Sequence, residues 1–332
     1  VGALLTSLAE AFDMDHDVAG RTLGERIEAR LRRLQRRSTP NWGSSGDPAE
    51  VAREESRYLR FLYHPHLFPG MEPELRLAHE LQFDLLPRAL PDGFPLMVSA
   101  VLESYCHLSG DLLGWRRTAS GDGQLWVVDV SGHGVRSGLA SAVIKILLDE
   151  APRQLGPAKL LSWLDRAFRA CRNPGDRHSL YATGIVLEVD ASGAGSYASA
   201  GHQPALARSA DGTVSALPST GPPLALLPDV TFSQEAVRLA PQDALLLYTD
   251  GVVETESVDG EPFGNERLEV LLRDQGRRLT ELTRAVHRAV VEHNEDRQLD
   301  DDLTFVAVRP SAGPQRDARA GTPGPTLQNP GA

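Results

Sequence analysis

The residues best able to do chemistry in this chain are aspartates set at the ends of apolar runs and followed by glycine. Leu125-Trp-Val-Val-Asp129-Val-Ser-Gly-His-Gly134 delivers a carboxylate from the end of a buried strand, and its glycines let the backbone turn tightly beneath a ligand. Leu245-Leu-Leu-Tyr-Thr-Asp250-Gly251 repeats that design. Ser109-Gly-Asp111 supplies a third carboxylate, and Asp300-Asp-Asp-Leu-Thr-Phe305 supplies more at the start of a last strand. Hard oxygen donors of this kind suit Mg²⁺ or Mn²⁺ rather than copper or structural zinc, which prefer imidazole or thiolate. A single Asp-Gly pair reads as an ordinary turn. Four such sites in one chain point to cation binding.

The elements that must position these residues change texture along the chain. Leu23, Ile27, Leu31 and Leu34 recur at helical spacing among Arg and Glu, so an amphipathic helix is expected over Leu23 to Arg37. The turn formers of 38–48 then read as a linker, followed by helical segments at Ala49 to Leu62 and Glu72 to Leu86. The second of these carries Leu75, Leu77, Leu81, Leu85 and Leu86 and is stopped by Pro87 and Pro91. From Pro95 onward, β-rich runs appear at Leu96 to Leu102, Leu125 to Val130, Ala182 to Val189, Ala244 to Tyr248 and Thr304 to Val308. Helical stretches at Gly138 to Leu148 and Ala158 to Arg172 lie between the second and third of them. Strands, two helices, then more strands predict an α+β sandwich. The division expected is an N-terminal helical region over 1–70, a linker helix over 71–90, a main domain over 91–309 and a disordered Gly/Pro-rich tail over 310–332.

In this order and spacing the segments resemble the SpoIIE-like branch of the PPM-type serine/threonine phosphatases, regulators of bacterial sigma factors. The similar stretches are Leu81-Gln-Phe-Asp-Leu-Leu-Pro87, Ser109-Gly-Asp111, Asp129-Val-Ser-Gly-His-Gly134, Tyr181-Ala-Thr183, Ala200-Gly-His-Gln-Pro204, Gly221-Pro-Pro-Leu224, Tyr248-Thr-Asp-Gly251 and Asp301-Asp-Leu-Thr304. The resemblance implies a four-layer αββα sandwich with two Mn²⁺ or Mg²⁺ ions. Asp129 would bridge them, the backbone carbonyl of Val130 would join one, and Asp111, Asp250 and Asp301 would complete the set. It implies a metal-activated water attacking phosphorus in line, with no covalent phosphoenzyme. The substrate implied is phosphoserine or phosphothreonine on a partner of the anti-anti-sigma type. The N-terminal helices, which relatives use as switches, would pair two copies or bind a partner.

Two departures stand out: the family pattern Gly-Gly-Asp, two residues, Asp has Ser109 for its first glycine and Gly114 for its second aspartate. A carboxylate missing at 114 motivates an alternative, a catalytically weakened pseudophosphatase that serves as a protein-binding module. In Asp300-Asp-Asp302 the spacing to Leu303-Thr304 selects Asp301 as the ligand. His133 and His202, beside glycines in turns, read as packing residues rather than general acids. Cys171-Arg-Asn-Pro-Gly-Asp-Arg177 has the Cys, five residues, Arg spacing of a thiolate phosphatase. However, it follows a helical stripe (Leu161, Leu164, Ala167, Phe168) instead of a strand, and Asp176 would repel phosphate inside the loop.

Composition bounds the remainder. A formal net charge of -11 over 332 residues argues against nucleic-acid binding. No apolar run reaches the ~18 residues of a membrane span, and Val1-Gly-Ala-Leu-Leu lacks a signal-peptide pattern. Two cysteines, Cys106 and Cys171, make no disulfide framework, so a cytoplasmic protein is expected.

Overall fold

The computed structural model describes residues 59–62, 73–171, 180–273, 278–295 and 297–311. The helix read over Leu23 to Arg37, the linker after it and the tail beyond 311 lie outside these residues.

Eleven strands among the described residues form two sheets that pack face to face. The first contains β1 (Leu59–Leu62), β2 (Leu96–Glu103), β7 (Ala205–Arg208), β8 (Val214–Leu217), β10 (Ala244–Tyr248) and β11 (Leu303–Pro310) in the order β1-β2-β11-β10-β7-β8. The second contains β3 (Leu112–Arg117), β4 (Gly123–Val130), β5 (Ala182–Val189), β6 (Ala194–Ala200) and β9 (Glu235–Arg238), in the order β3-β4-β5-β6-β9. All pairings are antiparallel except that of β1 with β2. Six helices accompany them: α1 (Pro73–Leu85), α2 (Val135–Glu150), α3 (Pro157–Ala170), α4 (Asp250–Glu254), α5 (Gly264–Arg273) and α6 (Leu279–His293).

Burial follows the pleat, so three cores separate four layers. Along β4, Leu125 and Val127 enter the core between the sheets, whereas Trp126, Val128 and Val130 face α2 and α3. On the other side Leu246, Phe305 and Ala307 of the first sheet pack against Leu268, Leu282, Val286 and Val290 of α5 and α6. This is the expected αββα sandwich. β4 reads as an uninterrupted apolar run because both of its faces are covered. Pro157 opens α3 at a position where its missing N–H costs nothing.

The structure departs from the sequence reading in three places. Leu59–Leu62, read as the end of a helix, is a strand that satisfies the open edge of β2, with Leu59 opposite Ala100. Pro310, read as the start of the tail, closes β11 opposite Leu96. In α1 the leucine stripe divides: Leu77 and Leu81 are 58% and 51% exposed, and the buried side is made by His79, Gln82 and Leu86. That face is held by hydrogen bonds as much as by apolar contact. Among the described residues no helix is long and apolar enough to cross a membrane.

Candidate metal centre

Both sheets end at the same edge of the sandwich, and each sends carboxylates there. In the second sheet β4 finishes with Asp129-Val130, and the register that pairs Leu112 with Val128 carries Asp111 alongside Asp129. Gly110 accepts the Val130 N–H at 3.3 Å, so the turn before Asp111 is stitched to the strand bearing Asp129. A side chain at 110 would stand 2.9 Å from the Val130 carbonyl oxygen. The following Ser131-Gly-His-Gly turn uses left-handed backbone at Gly132 and Gly134, with φ of 81° and 83°. Ser131 pins it by donating its N–H to Tyr181 and accepting the Tyr181 N–H on its hydroxyl.

From the first sheet come Asp250, at the start of α4, and Asp301, just before β11. Thr249 donates its N–H to Thr304 at 2.9 Å and its hydroxyl to Asp111 Oδ2 at 2.8 Å, tying the sheets together at the site. Gly251 lies so close to the Asp302 backbone that a Cβ there would collide with its carbonyl oxygen. The adjacent aspartates 301 and 302 part company. Asp302 is buried and accepts N–H groups from Tyr105 at 2.8 Å and Gly110 at 2.7 Å, so it is spent on holding the turn before Asp111. Asp301 lies at the exposed rim, where its charge acts on Asp129.

Burial, reinforced by like charge, dominates the electrostatics. Burial, and then the charges of Asp129 and Asp302, hold Asp111 well above the usual carboxylate range. Burial is also the main cause for Asp129, reinforced by Asp250, Asp301, Asp302 and Glu254; together they push it up to about 8. Asp301 rises to about 6, chiefly by desolvation, with Asp302 and Asp250 adding and His133 opposing. The carboxylates stand apart, and among the described residues no three His, Cys, Asp or Glu side chains close on a single point. Uncompensated like charges repel, and a divalent cation would supply the missing positive charge. The all-oxygen donor set, with a main-chain carbonyl at Val130 beside it, fits Mg²⁺ or Mn²⁺.

The other singled-out residues fall outside this centre or behind it. His202 is buried, with Nδ1 2.8 Å from Thr183 Oγ1, and burial lowers its pKa to about 4, which leaves it neutral at physiological pH. Thr183 is the cross-strand neighbour of Asp129. His133 is exposed at the rim, edge-on to Tyr105 with ring centroids 5.5 Å apart. Cys171 caps the C-terminus of α3, and burial pushes its thiol up to about 12. Gly114 lies on the helix-facing side of β3, because it pairs with Trp126, whereas Asp111 and Leu113 face the other way. Any Cβ at 114 would come within 2.7 Å of the Trp126 indole. The missing carboxylate therefore belongs to the packing beneath α2 and not to the aspartate cluster.

Comparison with known proteins gives the family. The family model described as Stage II sporulation protein E (SpoIIE) matches residues 120–311, more than half of the chain. The chain belongs to the SpoIIE family. Within it, the chain is similar to phosphoserine phosphatase RsbP of Bacillus subtilis, 29% identical over 238 residues that cover 71% of this chain and 57% of RsbP. It is also similar to protein IcfG of Synechocystis, 28% identical over 263 residues covering 71% of this chain and 41% of IcfG. The chain thus spans about half the length of these relatives. Among solved structures, the SiaA-PP2C domain of Pseudomonas aeruginosa superposes with a TM-score of 0.63 at 24% identity, covering 72% of this chain and 96% of that domain. The fold of this SpoIIE-family chain is accordingly the PP2C fold.

Three residues with clear roles here escape sequence reasoning: Thr249, Asp302 and Gln82. Each sits inside a quoted motif, but its partner is distant in sequence, so only the tertiary structure exposes its part.

Proposed function

We propose that this chain is a metal-dependent protein serine/threonine phosphatase that hydrolyses phosphoserine or phosphothreonine on a regulatory protein of the anti-anti-sigma type. The observation that carries the reading is the gathering of Asp111, Asp129, Asp250 and Asp301 at one edge of the two sheets, where burial, reinforced by the neighbouring carboxylates, raises Asp129 to about 8. These four carboxylates and the Val130 carbonyl would hold two Mn²⁺ or Mg²⁺ ions. When bound, such ions supply Lewis acidity toward phosphoryl oxygens and lower the pKa of water so that it can act as nucleophile. The chain's own part is positioning. Thr249 orients Asp111, and Asp302 fixes the Ser109-Gly-Asp111 turn through Gly110. Asp301, at the exposed rim, stands where a phosphorylated segment of another protein can approach.

Membership of the family that includes phosphoserine phosphatases supports the substrate class. We assign catalysis to 91–309, with 71–90 as its linker helix and the region before it, apart from the β1 strand Leu59–Leu62, as the part through which two copies would pair. The acidic net charge of -11 favours a protein substrate over nucleic acid. Two cysteines without a disulfide among the described residues suit the cytoplasm. The alternative, a binding module with a weakened centre, rests on Gly114, whose side faces Trp126 and not the carboxylates.

The test is phosphate release from phosphorylated anti-anti-sigma-type proteins during a Mn²⁺ titration. Wild type should be active and lose activity in EDTA, and Asp129→Asn and Asp250→Asn should abolish it while remaining folded. Release that persists in EDTA, or in either variant, would sink the proposal.

A further inference from the structure

We infer that Gln82 of α1 is a positioning residue for the metal centre, its carboxamide fixing the turn that carries Asp111. The inference rests on the two-metal reading above. Gln82 is buried, with 8% exposure, and its side chain makes a full set of bonds. Oε1 accepts the Ser109 N–H at 2.9 Å, while the two hydrogens of Nε2 are shared among the Ser109 carbonyl at 2.7 Å, the Gly138 carbonyl at 3.0 Å and Ser141 Oγ at 2.9 Å. Donor and acceptor of one backbone residue are thus matched by donor and acceptor of one carboxamide, as an adjacent strand would match them. Ser141 completes the knot by bonding the Ser109 carbonyl at 2.7 Å.

Three consecutive residues are thereby held from three directions. Ser109 is held by Gln82, Gly110 by Asp302 and by the Val130 N–H, and Asp111 by Thr249. Displacing Ser109 moves Gly110, and with it both the Asp111 carboxylate and the strand that presents the Val130 carbonyl. Gln82, Ser109, Asp111 and Ser141 line one small cavity, together with Leu102 and Lys145. The Gly138 bond extends the clamp to α2, where glycine is required because a Cβ would collide with Leu108. An apolar side chain at 82 would leave the Ser109 N–H buried and unbonded, and the turn would relax to satisfy it. Residues that orient metal ligands from behind typically change metal affinity 10–100-fold when removed.

Calorimetric Mn²⁺ titration of the full chain tests this, using wild type, Gln82→Leu and Ser141→Ala, with thermal melts in EDTA alongside. Gln82→Leu should bind Mn²⁺ about 10–100-fold more weakly, with kcat at saturating Mn²⁺ within a few-fold of wild type. Ser141→Ala, which removes one strand of the knot, should show a smaller loss in the same direction. A Gln82→Leu protein that melts earlier but binds Mn²⁺ like wild type would reduce Gln82 to a tie for α1 and overturn the inference. If Gln82→Leu does not fold, unaltered Mn²⁺ affinity in Ser141→Ala overturns it instead. Wild type that binds no Mn²⁺ would overturn the two-metal reading itself, a result distinct from wild-type binding that the variants leave unchanged.

Discussion

Thr249 donates its hydroxyl to Asp111 Oδ2 across 2.8 Å, and this bond joins the last residue before α4 to the first residue before β3. The two belong to different sheets, so the hydrogen bond closes the sandwich at the edge where the carboxylates collect. It also explains how a fully buried aspartate is tolerated there: a hydroxyl oriented toward an anion offsets part of the burial penalty. Thr249 Oγ1 in turn accepts the Thr304 N–H at 3.2 Å, which fixes the hydroxyl's direction.

Replacing Thr249 by Val keeps the shape and deletes both bonds. The loss of a buried hydrogen bond to a charged group predicts destabilisation of about 1–3 kcal/mol in urea. Mn²⁺ should also be needed at higher concentration, since Asp111 is no longer oriented. A Thr249→Val protein with wild-type stability and wild-type Mn²⁺ requirement would contradict both expectations.

Asp129 gives a pH dependence with a definite sign. Its folded-state pKa of about 8 lies above the ordinary 3.8, so the folded state holds its proton more tightly than the unfolded chain does. The associated stabilisation is complete below the ordinary value and is lost as pH rises toward 8. Asp301, at about 6, acts in the same direction. Metal-free protein should therefore lose stability between pH 4 and pH 8, on the order of a few kcal/mol. Mn²⁺ should offset the loss, and Asp129→Asn should flatten the metal-free profile. Denaturation curves in EDTA at pH 5 and pH 8 for both proteins decide it; equal slopes would remove Asp129 as the cause.

How much of this site can be read from the sequence depends on whether the information is local. Asp129 and Asp250 follow apolar runs and precede glycine turns, so strand, terminus and carboxylate are visible within ten residues. The choice of Asp301 over Asp302 also uses local spacing; the bonds that Asp302 accepts from the Tyr105 and Gly110 N–H groups are visible only in the structure. The weak strands are another matter. β6, Ala-Gly-Ser-Tyr-Ala-Ser-Ala, has a poor composition for a strand and exists because β5 and β9 pair with it. β3 is broken by Gly114 and two arginines, and its partner β4 imposes it. In α1 the leucines at helical spacing suggest the wrong buried face, because the docking surface offers main-chain groups at Ser109 and Gly138 that the Gln82 carboxamide bonds. Hydrophobic periodicity does not register a hydrogen-bonded face.

Cys171→Ser should leave phosphatase activity intact. The thiol is partly buried behind α3, donates to the Ala167 carbonyl at 3.2 Å, and has a pKa pushed up to about 12, so no thiolate nucleophile is present at neutral pH. Alkylation with iodoacetamide at pH 7.5 should likewise leave turnover unchanged. Loss of activity in the serine variant, with its fold intact, would reinstate a thiolate mechanism.

Gly114→Asp installs the carboxylate of the motif that this chain resembles, and a reading from motifs alone would expect it to strengthen metal binding. The packing predicts the reverse. The new Cβ would press to 2.7 Å on the indole of Trp126, which is fully buried and has the Arg116 guanidinium 5.8 Å from its ring centroid. Overpacking of this kind costs about 1–3 kcal/mol, and a carboxylate placed under α2 adds a desolvation penalty. The Trp126 Nε1 has no hydrogen-bond partner among the described residues, so a bond to the new carboxylate would recover part of the loss, but it would still leave the charge on the helix-facing side of β3. Gly114→Asp should therefore melt several degrees lower, with Mn²⁺ affinity and turnover no higher than wild type. Gly114→Ala, which introduces the Cβ without the charge, should fall between the two in stability. A gain of tenfold or more in Mn²⁺ affinity for Gly114→Asp would mean that position 114 reaches the carboxylate cluster after all, and that β3 changes its pairing with β4 when metal binds.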